Sequence, residues 1–332
     1  MNTLEAGIPQ CLDILLSANN IVITTHQNTD GDAIGSALGL YHFAISRGIN
    51  ATVINTSPTP SNLTFLPSAD NIHVFTHEND NDTIQKADAI FILDLNSIKR
   101  IQTMEESVTS SPAKKVLIDH HQNPSISPDV AVIDTGSCST CELIYKIILA
   151  SGESFSPEIA TALYTGIMTD TGSFRFSRTT ANVFRIAGSL VEYGADPVYI
   201  AENVFNSSGF NRTVLLGKAL GSLQLFYDGK LSVMSVTSED FLQTKTLEED
   251  TDGFVQHTLT IAGVIMGILF IELPNSNIVK ISIRSKGSVQ ANSLAADFNG
   301  GGHLNAAATR IHDNSLADTM KMIIEKAGQY LI

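Results

Sequence analysis

The chain has no tryptophan, only three cysteines, and far less base than acid: 20 lysines and arginines against 34 aspartates and glutamates, a formal charge of −14 over 332 residues. Each shortage excludes something. Three cysteines cannot build a disulfide framework, and buried thiols suit a reducing cytoplasm. A groove for long duplex nucleic acid needs a basic stripe to neutralise phosphates, and none is visible. Small anionic substrates stay open, because metal ions or a few Arg, Lys or His side chains neutralise charge locally. The N-terminal stretch MNTLEAGIPQ lacks the basic and apolar regions of a signal peptide. The most apolar run, Ile261 to Ile271, is too short to span a bilayer and is broken by glycines. A soluble, cytoplasmic protein with no membrane partner is expected. Its length exceeds the usual single domain, so two domains are the default.

What is present is a change of rhythm along the chain. Between about residues 20 and 135, β-branched runs (Ile21–Thr24, Ala51–Asn55, Ile72–Phe75, Ala89–Leu95, Val116–Asp119 and Val130–Asp134) alternate with helical stretches such as Ala33 to Arg47. That alternation predicts an α/β unit, a parallel sheet with flanking helices. Helices follow, opened by Ser156-Pro157 and by Asp196-Pro197. The polar Asn206-Ser207-Ser208-Gly209 marks a linker, placed at 196–212 between domains 1–195 and 213–332. Two hairpins then turn at Asp228-Gly229 and across Pro274–Asn277, and Ser315 caps a closing helix. This second, smaller domain reads as α+β with a mainly antiparallel sheet.

In parallel sheets ligands bind beyond the carboxyl ends of the strands, and those ends carry the chemistry here. His26, Asp30 and Asp32 follow the first strand, Asp94 follows Ala89–Leu93, and Asp119-His120-His121 follows Lys115–Ile118. Asp170 ends a helix. Taken singly, Asp32 could cap a helix, Asp170 could end one, and Asp119 could be held by backbone amides. Taken together, four separate loops place Asp or His at one sheet edge. Oxygen and imidazole donors without a thiolate suit a two-metal hydrolase, with Mn²⁺ favoured over Mg²⁺ because of the imidazoles.

Two further motifs stand apart. Cys138-Ser139-Thr140-Cys141 has redox or zinc spacing but no second ligand pair, so it reads as buried reduced thiols at a helix start. Gly300-Gly301-Gly302-His303 precedes alanines expected to form a helix, and its glycines would let backbone N–H groups approach an anion. Arg284, at a strand end, could add the charge for phosphate.

With these residues in view, the chain resembles the DHH phosphoesterase superfamily in its DHH–DHHA1 arrangement, the oligoribonuclease (nanoRNase) and phosphoadenosine-phosphate phosphatase group. The motifs that carry the resemblance are His26 to Ser36, Asp94, Asp119-His120-His121, Gly166 to Arg175 and Gly300 to Ala308. Thr29 stands where the family usually has Pro, and Ala308 where a Gly is common. The resemblance implies one metal on His26, Asp30 and Asp94 and a second on Asp32, Asp94, His120 and Asp170, with Asp94 bridging. It also implies in-line attack on phosphorus by a hydroxide between the ions, His121 on the scissile phosphate and Asp119 orienting the imidazoles. Arg284, Gly300, Gly301, Gly302 and His303 would bind the rest of the substrate. Short oligoribonucleotides, 3′-phosphoadenosine 5′-phosphate (pAp), linear pApA and cyclic di-AMP all stay open as substrates. So do a homodimer and, in a different class, a non-catalytic nucleotide-binding module.

Overall fold

A computed structural model describes residues 3–122, 124–207 and 209–331. Two compact units emerge, Met1–Ser207 and Ser208–Ile332. In the first, α1 (Thr3–Ser17) precedes β1 (Asn20–Thr24), α2 (Gly31–Ser46), β2 (Asn50–Asn55), β3 (His73–Val74), α3 (His77–Lys86) and β4 (Ala89–Leu93). Then come α4 (Glu105–Ser110), β5 (Lys114–Asp119), β6 (Val130–Ile133), α5 (Thr140–Ala150), α6 (Pro157–Asp170), α7 (Ala181–Glu192) and α8 (Pro197–Phe205). The strands form one six-stranded sheet in the order β3-β2-β1-β4-β5-β6, every pairing parallel.

Alternating side chains bury both faces of that sheet. Ile21, Ile23, Phe91, Leu93, Val116 and Ile118 join the larger core, while Val22, Ile90, Ile92 and Leu117 join the one on the opposite face. Two-sided burial explains why these strands read as continuous apolar runs. The strand order reverses between β1 and β4, so a crevice opens beyond their carboxyl ends. The residues that follow these two strands are His26 to Asp32 and Asp94.

The 196–212 stretch expected as a linker is largely helical. Asp196 caps α8 by accepting from the amides of Val198 and Tyr199, with Pro197 in the first turn. The next helix already begins at Phe210. The helix expected from Asp196-Pro197 thus fills most of that stretch and ends at Phe205, before the polar Asn206 and Ser207.

The second unit comprises α9 (Phe210–Gly221), β7 (Gln224–Phe226), β8 (Leu231–Val236), α10 (Ser238–Thr244), β9 (Met266–Glu272) and β10 (Ile278–Ser285). It closes with α11 (Ala291–Ala296), β11 (Gly301–His303), β12 (Ala306–His312) and α12 (Leu316–Ala327). Its sheet runs β11-β12-β10-β9-β8-β7 and is antiparallel except for the β8–β9 pair. The helix expected after the glycines is therefore a strand. Ala306 to His312 pair residue by residue with β10, and Gly301 to His303 fold back on Ala306 to Ala308. The helix preference of alanine, a few tenths of a kcal/mol per residue, yields to that pairing.

Candidate metal centre

The polar ends of the parallel sheet converge. Asp30 is the N-cap of α2: its Oδ1 accepts from the amides of Asp32 and Ala33 at 3.0 and 3.1 Å. Capping is thus the work of Asp30, and Asp32 is left free for other contacts. Buried Asp32 receives the N-terminus of α5, with Oδ2 accepting from the Thr140 amide at 2.6 Å and Oδ1 from the Cys141 amide at 2.9 Å. A helix N-terminus favours negative charge at that point.

Close helix packing brings this carboxylate to Asp170 at the end of α6. A Cβ on Gly31 would lie 2.3 Å from Thr169 Oγ1, and one on Gly166 would lie 2.2 Å from Cys141 Sγ. The Cys-x-x-Cys segment is explained by that packing. Both its thiols are free and buried, and burial raises the pKa of each above the ordinary thiol value.

Asp94 stands where β4 ends, with φ of +59° and its amide donating to the Ile118 carbonyl at 3.0 Å. A left-handed aspartate costs on the order of 1–3 kcal/mol, strain that concentrates at functional sites. His26 Nε2 lies 3.3 Å from Asp94 Oδ2 and 4.0 Å from Asp30 Oδ2. Its Nδ1 is 2.7 Å from the Gln27 carbonyl, which places a proton there and turns Nε2 toward the acids. His120 Nε2 lies 3.5 Å from Asp94 Oδ1, 3.6 Å from Asp170 Oδ2 and 3.8 Å from Asp32 Oδ2. His121 Nδ1 meets Asp119 Oδ1 at 2.7 Å and Asp94 Oδ1 at 3.6 Å.

Three overlapping sets of donors result: His26, Asp30 and Asp94; Asp32, His120 and Asp170; and Asp94, His120 and His121. Within each set the donor atoms lie within 4.8 Å of one another. The structure thus brings together all six residues expected as metal ligands, with Asp119 and His121 beside them. It also adds groups that periodicity did not reveal. Thr140 Oγ1 donates to Asp94 at 3.1 Å, and Arg178 Nη1 lies 3.2 Å from His120 Nδ1. The Ser139-Thr140 pair before an apolar run was the available cue for the first. Nothing in the sequence points to the second.

The electrostatics are those of a charge deficit. Burial, then the Asp94 charge, pushes the Asp32 carboxyl up to about 7, and burial with the Asp32 charge pushes Asp170 up to about 8. Burial opposes ionisation of Asp94 too, but hydrogen bonds from His120 and His26 outweigh it and hold that carboxyl well below the usual range. Burial would lower His120, yet its bond to Asp94 and the Asp32, Asp94 and Asp170 charges raise it to about 10.

In the second unit, Arg284 is half-buried. Its Nη1 donates to the Ile283 carbonyl at 3.0 Å, and burial lowers its pKa despite the nearby Asp252 charge. Gly300, Gly301 and Gly302 lead into and form β11, and the side chain of His303 lies outside the described residues. Among the described residues no helix is long and apolar enough to cross a membrane.

Comparison with known proteins adds to this geometry. Residues 20–167 match the DHH family, N-terminal domain, and residues 235–331 match the DHHA1 domain. The chain is 31% identical over 313 residues to the bifunctional oligoribonuclease and PAP phosphatase NrnA of Thermus thermophilus, spanning 94% of this chain and 90% of that one. It is 27% identical to the protein of the same name from Bacillus subtilis, over 92% and 94% of the two chains. An exopolyphosphatase-related protein from Bacteroides fragilis superposes with a TM-score of 0.93 at 33% identity, covering 98% of each chain.

Proposed function

This chain belongs to the DHH family, and we propose on that premise that it is a two-metal phosphoesterase that cleaves short oligoribonucleotides to mononucleotides and pAp to AMP. The observation that carries the reading is the buried acid cluster. Asp32 and Asp170 are lifted to about 7 and 8 by burial and by the charges of neighbouring acids, a state that divalent cations relieve. The oxygen-and-imidazole donor set fits such ions, and the imidazoles favour Mn²⁺ over Mg²⁺. His26, Asp30 and Asp94 would hold one ion, and Asp32, Asp94, His120 and Asp170 the other.

Bound ions would polarise the phosphoryl oxygens and make water nucleophilic at neutral pH. The protein's own groups do the rest. The Gln27 carbonyl and the α5 amides fix His26 and Asp32 before any ligand arrives. Asp119 orients His121 through Nδ1, and this imidazole would contact the scissile phosphate and carry a proton for the leaving oxygen. Arg284, the glycine strand and His303 would take up the remainder of a short nucleotide. The names of the two NrnA relatives support oligoribonucleotide and pAp substrates.

Initial rates in Mn²⁺ on pAp, a 5′-labelled RNA trimer and cyclic di-AMP test the proposal. Turnover of the first two above the third is expected. Preference for cyclic di-AMP would assign the site to cyclic-dinucleotide hydrolysis instead, and no turnover of any phosphate ester would contradict the reading.

A further inference from the structure

The segment after α6 is rigidly built and ends on a cation. Ser173 and Phe174 both take left-handed φ values, +59° and +63°. The Ser173 amide donates to the Met168 carbonyl at 2.8 Å, the Phe174 amide to Thr171 Oγ1 at 3.0 Å, and the Thr179 amide to the Phe176 carbonyl at 3.0 Å. Two arginines leave this frame in different directions. Exposed Arg175 turns back on its own loop, its Nε donating to the Gly172 carbonyl at 2.6 Å. Half-buried Arg178 reaches the acid cluster and meets His120 Nδ1 at 3.2 Å.

That position puts a fixed positive charge at the edge of the donor sets that His120 forms with Asp94, Asp32 and Asp170. A guanidinium only donates, in a planar fork that matches an anion presenting two oxygens.

We propose that Arg178 is a substrate-binding residue of this site, placed beside His120 at the edge of the acid cluster to receive the incoming phosphate. The inference rests on the phosphoesterase reading. Charge balance supports it: the carboxylates of Asp30, Asp32, Asp94 and Asp170 just offset two divalent ions, so a dianionic terminal phosphate meets no net positive charge from them. A guanidinium beside the cluster supplies that charge and a two-pronged donor shaped for phosphate.

The test is calorimetric titration of inorganic phosphate into the Mn²⁺-loaded protein and its Arg178→Ala and Arg178→Lys variants, beside Mn²⁺ titration and a thermal melt of each. Arg178→Ala is expected to weaken phosphate binding on the order of tenfold or more, with Lys recovering part of the loss as a point charge. Mn²⁺ affinity should change little. Unchanged phosphate affinity would overturn the proposal. So would a parallel loss of Mn²⁺ affinity of about ten- to hundredfold, the mark of an arginine that merely orients a ligating imidazole. Should the Ala variant fail to fold, the Lys and Arg178→Gln variants carry the same comparison. If the unsubstituted protein hydrolyses no phosphate ester, the phosphoesterase reading fails by itself, and the phosphate titration still decides the role of Arg178.

Discussion

Two acid sites, one in each unit, respond to burial in opposite ways. In the second, Glu248 lies between Lys280 Nζ at 2.9 Å and Arg310 Nη2 at 2.6 Å. Burial disfavours its charge, but those two cations outweigh it and hold the carboxyl below its ordinary value. In the first unit, Asp32 and Asp170 share a crevice with Asp94 and rise to about 7 and 8. Burial is common to both places; compensation is not. Glu248 has two counter-ions within 3 Å, whereas the Asp32 cluster faces imidazoles and a helix N-terminus, with the Arg178 and Arg100 charges at its edge on His120 and His26. A chemical site is distinguished here by what the protein withholds from its acids.

The sharpest way to break the comparison is to neutralise one acid of each kind. Asp94→Ala is expected to cut hydrolysis about a thousandfold or more, ~4 kcal/mol of barrier, because both donor groups built on it lose a ligand. Glu248→Gln should leave the rate on pAp unchanged. Its cost in a denaturant melt should stay within about 1 kcal/mol, as for a half-exposed ion pair. Equal loss of activity in both would erase the distinction.

A contrast within the second unit comes next in size. A Cβ on Gly300 would sit 2.3 Å from the Ala308 carbonyl oxygen and 2.5 Å from Thr309 Cβ, whereas one on Gly301 would meet nothing within 4 Å. Gly300→Ala should therefore cost about 1–3 kcal/mol in a chemical melt and Gly301→Ala no more than about 0.5 kcal/mol. The glycine strand then serves backbone approach at Gly300, and any effect of Gly301→Ala on substrate affinity reports ligand contact alone.

The smallest effect is on pH dependence. Asp32, Asp170 and His120 all sit above their ordinary values in the folded chain. Without metal, the native state then holds more protons than the unfolded chain, so its stability falls as pH rises from about 5 to about 9. Asp94 has the opposite sign, but its contribution is lost only below the ordinary carboxyl range, outside that window. Melting temperature of chelated protein should drop by roughly 2–4 °C for each kcal/mol lost. Saturating Mn²⁺ should flatten the trend, and a chelated protein whose melting temperature rises across that window would contradict the shifts.

Much of this is legible in the sequence itself. Apolar β-branched runs mark the central strands β1, β4 and β5 because both their faces are buried, and each cluster acid follows a strand end or ends a helix. The failures share a cause, which is contact between residues remote in sequence. Ala306–His312 looks helical until β10 is beside it. Asp32 looks like a cap until the α5 amides, more than a hundred residues away, take up its oxygens. Arg178 is an ordinary arginine until α6 delivers its loop to His120.

The most direct test of the charge-deficit account is the Mn²⁺ stoichiometry of chelated, metal-free protein by calorimetry at pH 8, repeated at pH 6. Two ions per chain are expected at pH 8, with tighter binding there than at pH 6, because protons on Asp32 and Asp170 compete with the metal. Fewer than two ions, or an affinity indifferent to pH across that range, would contradict it.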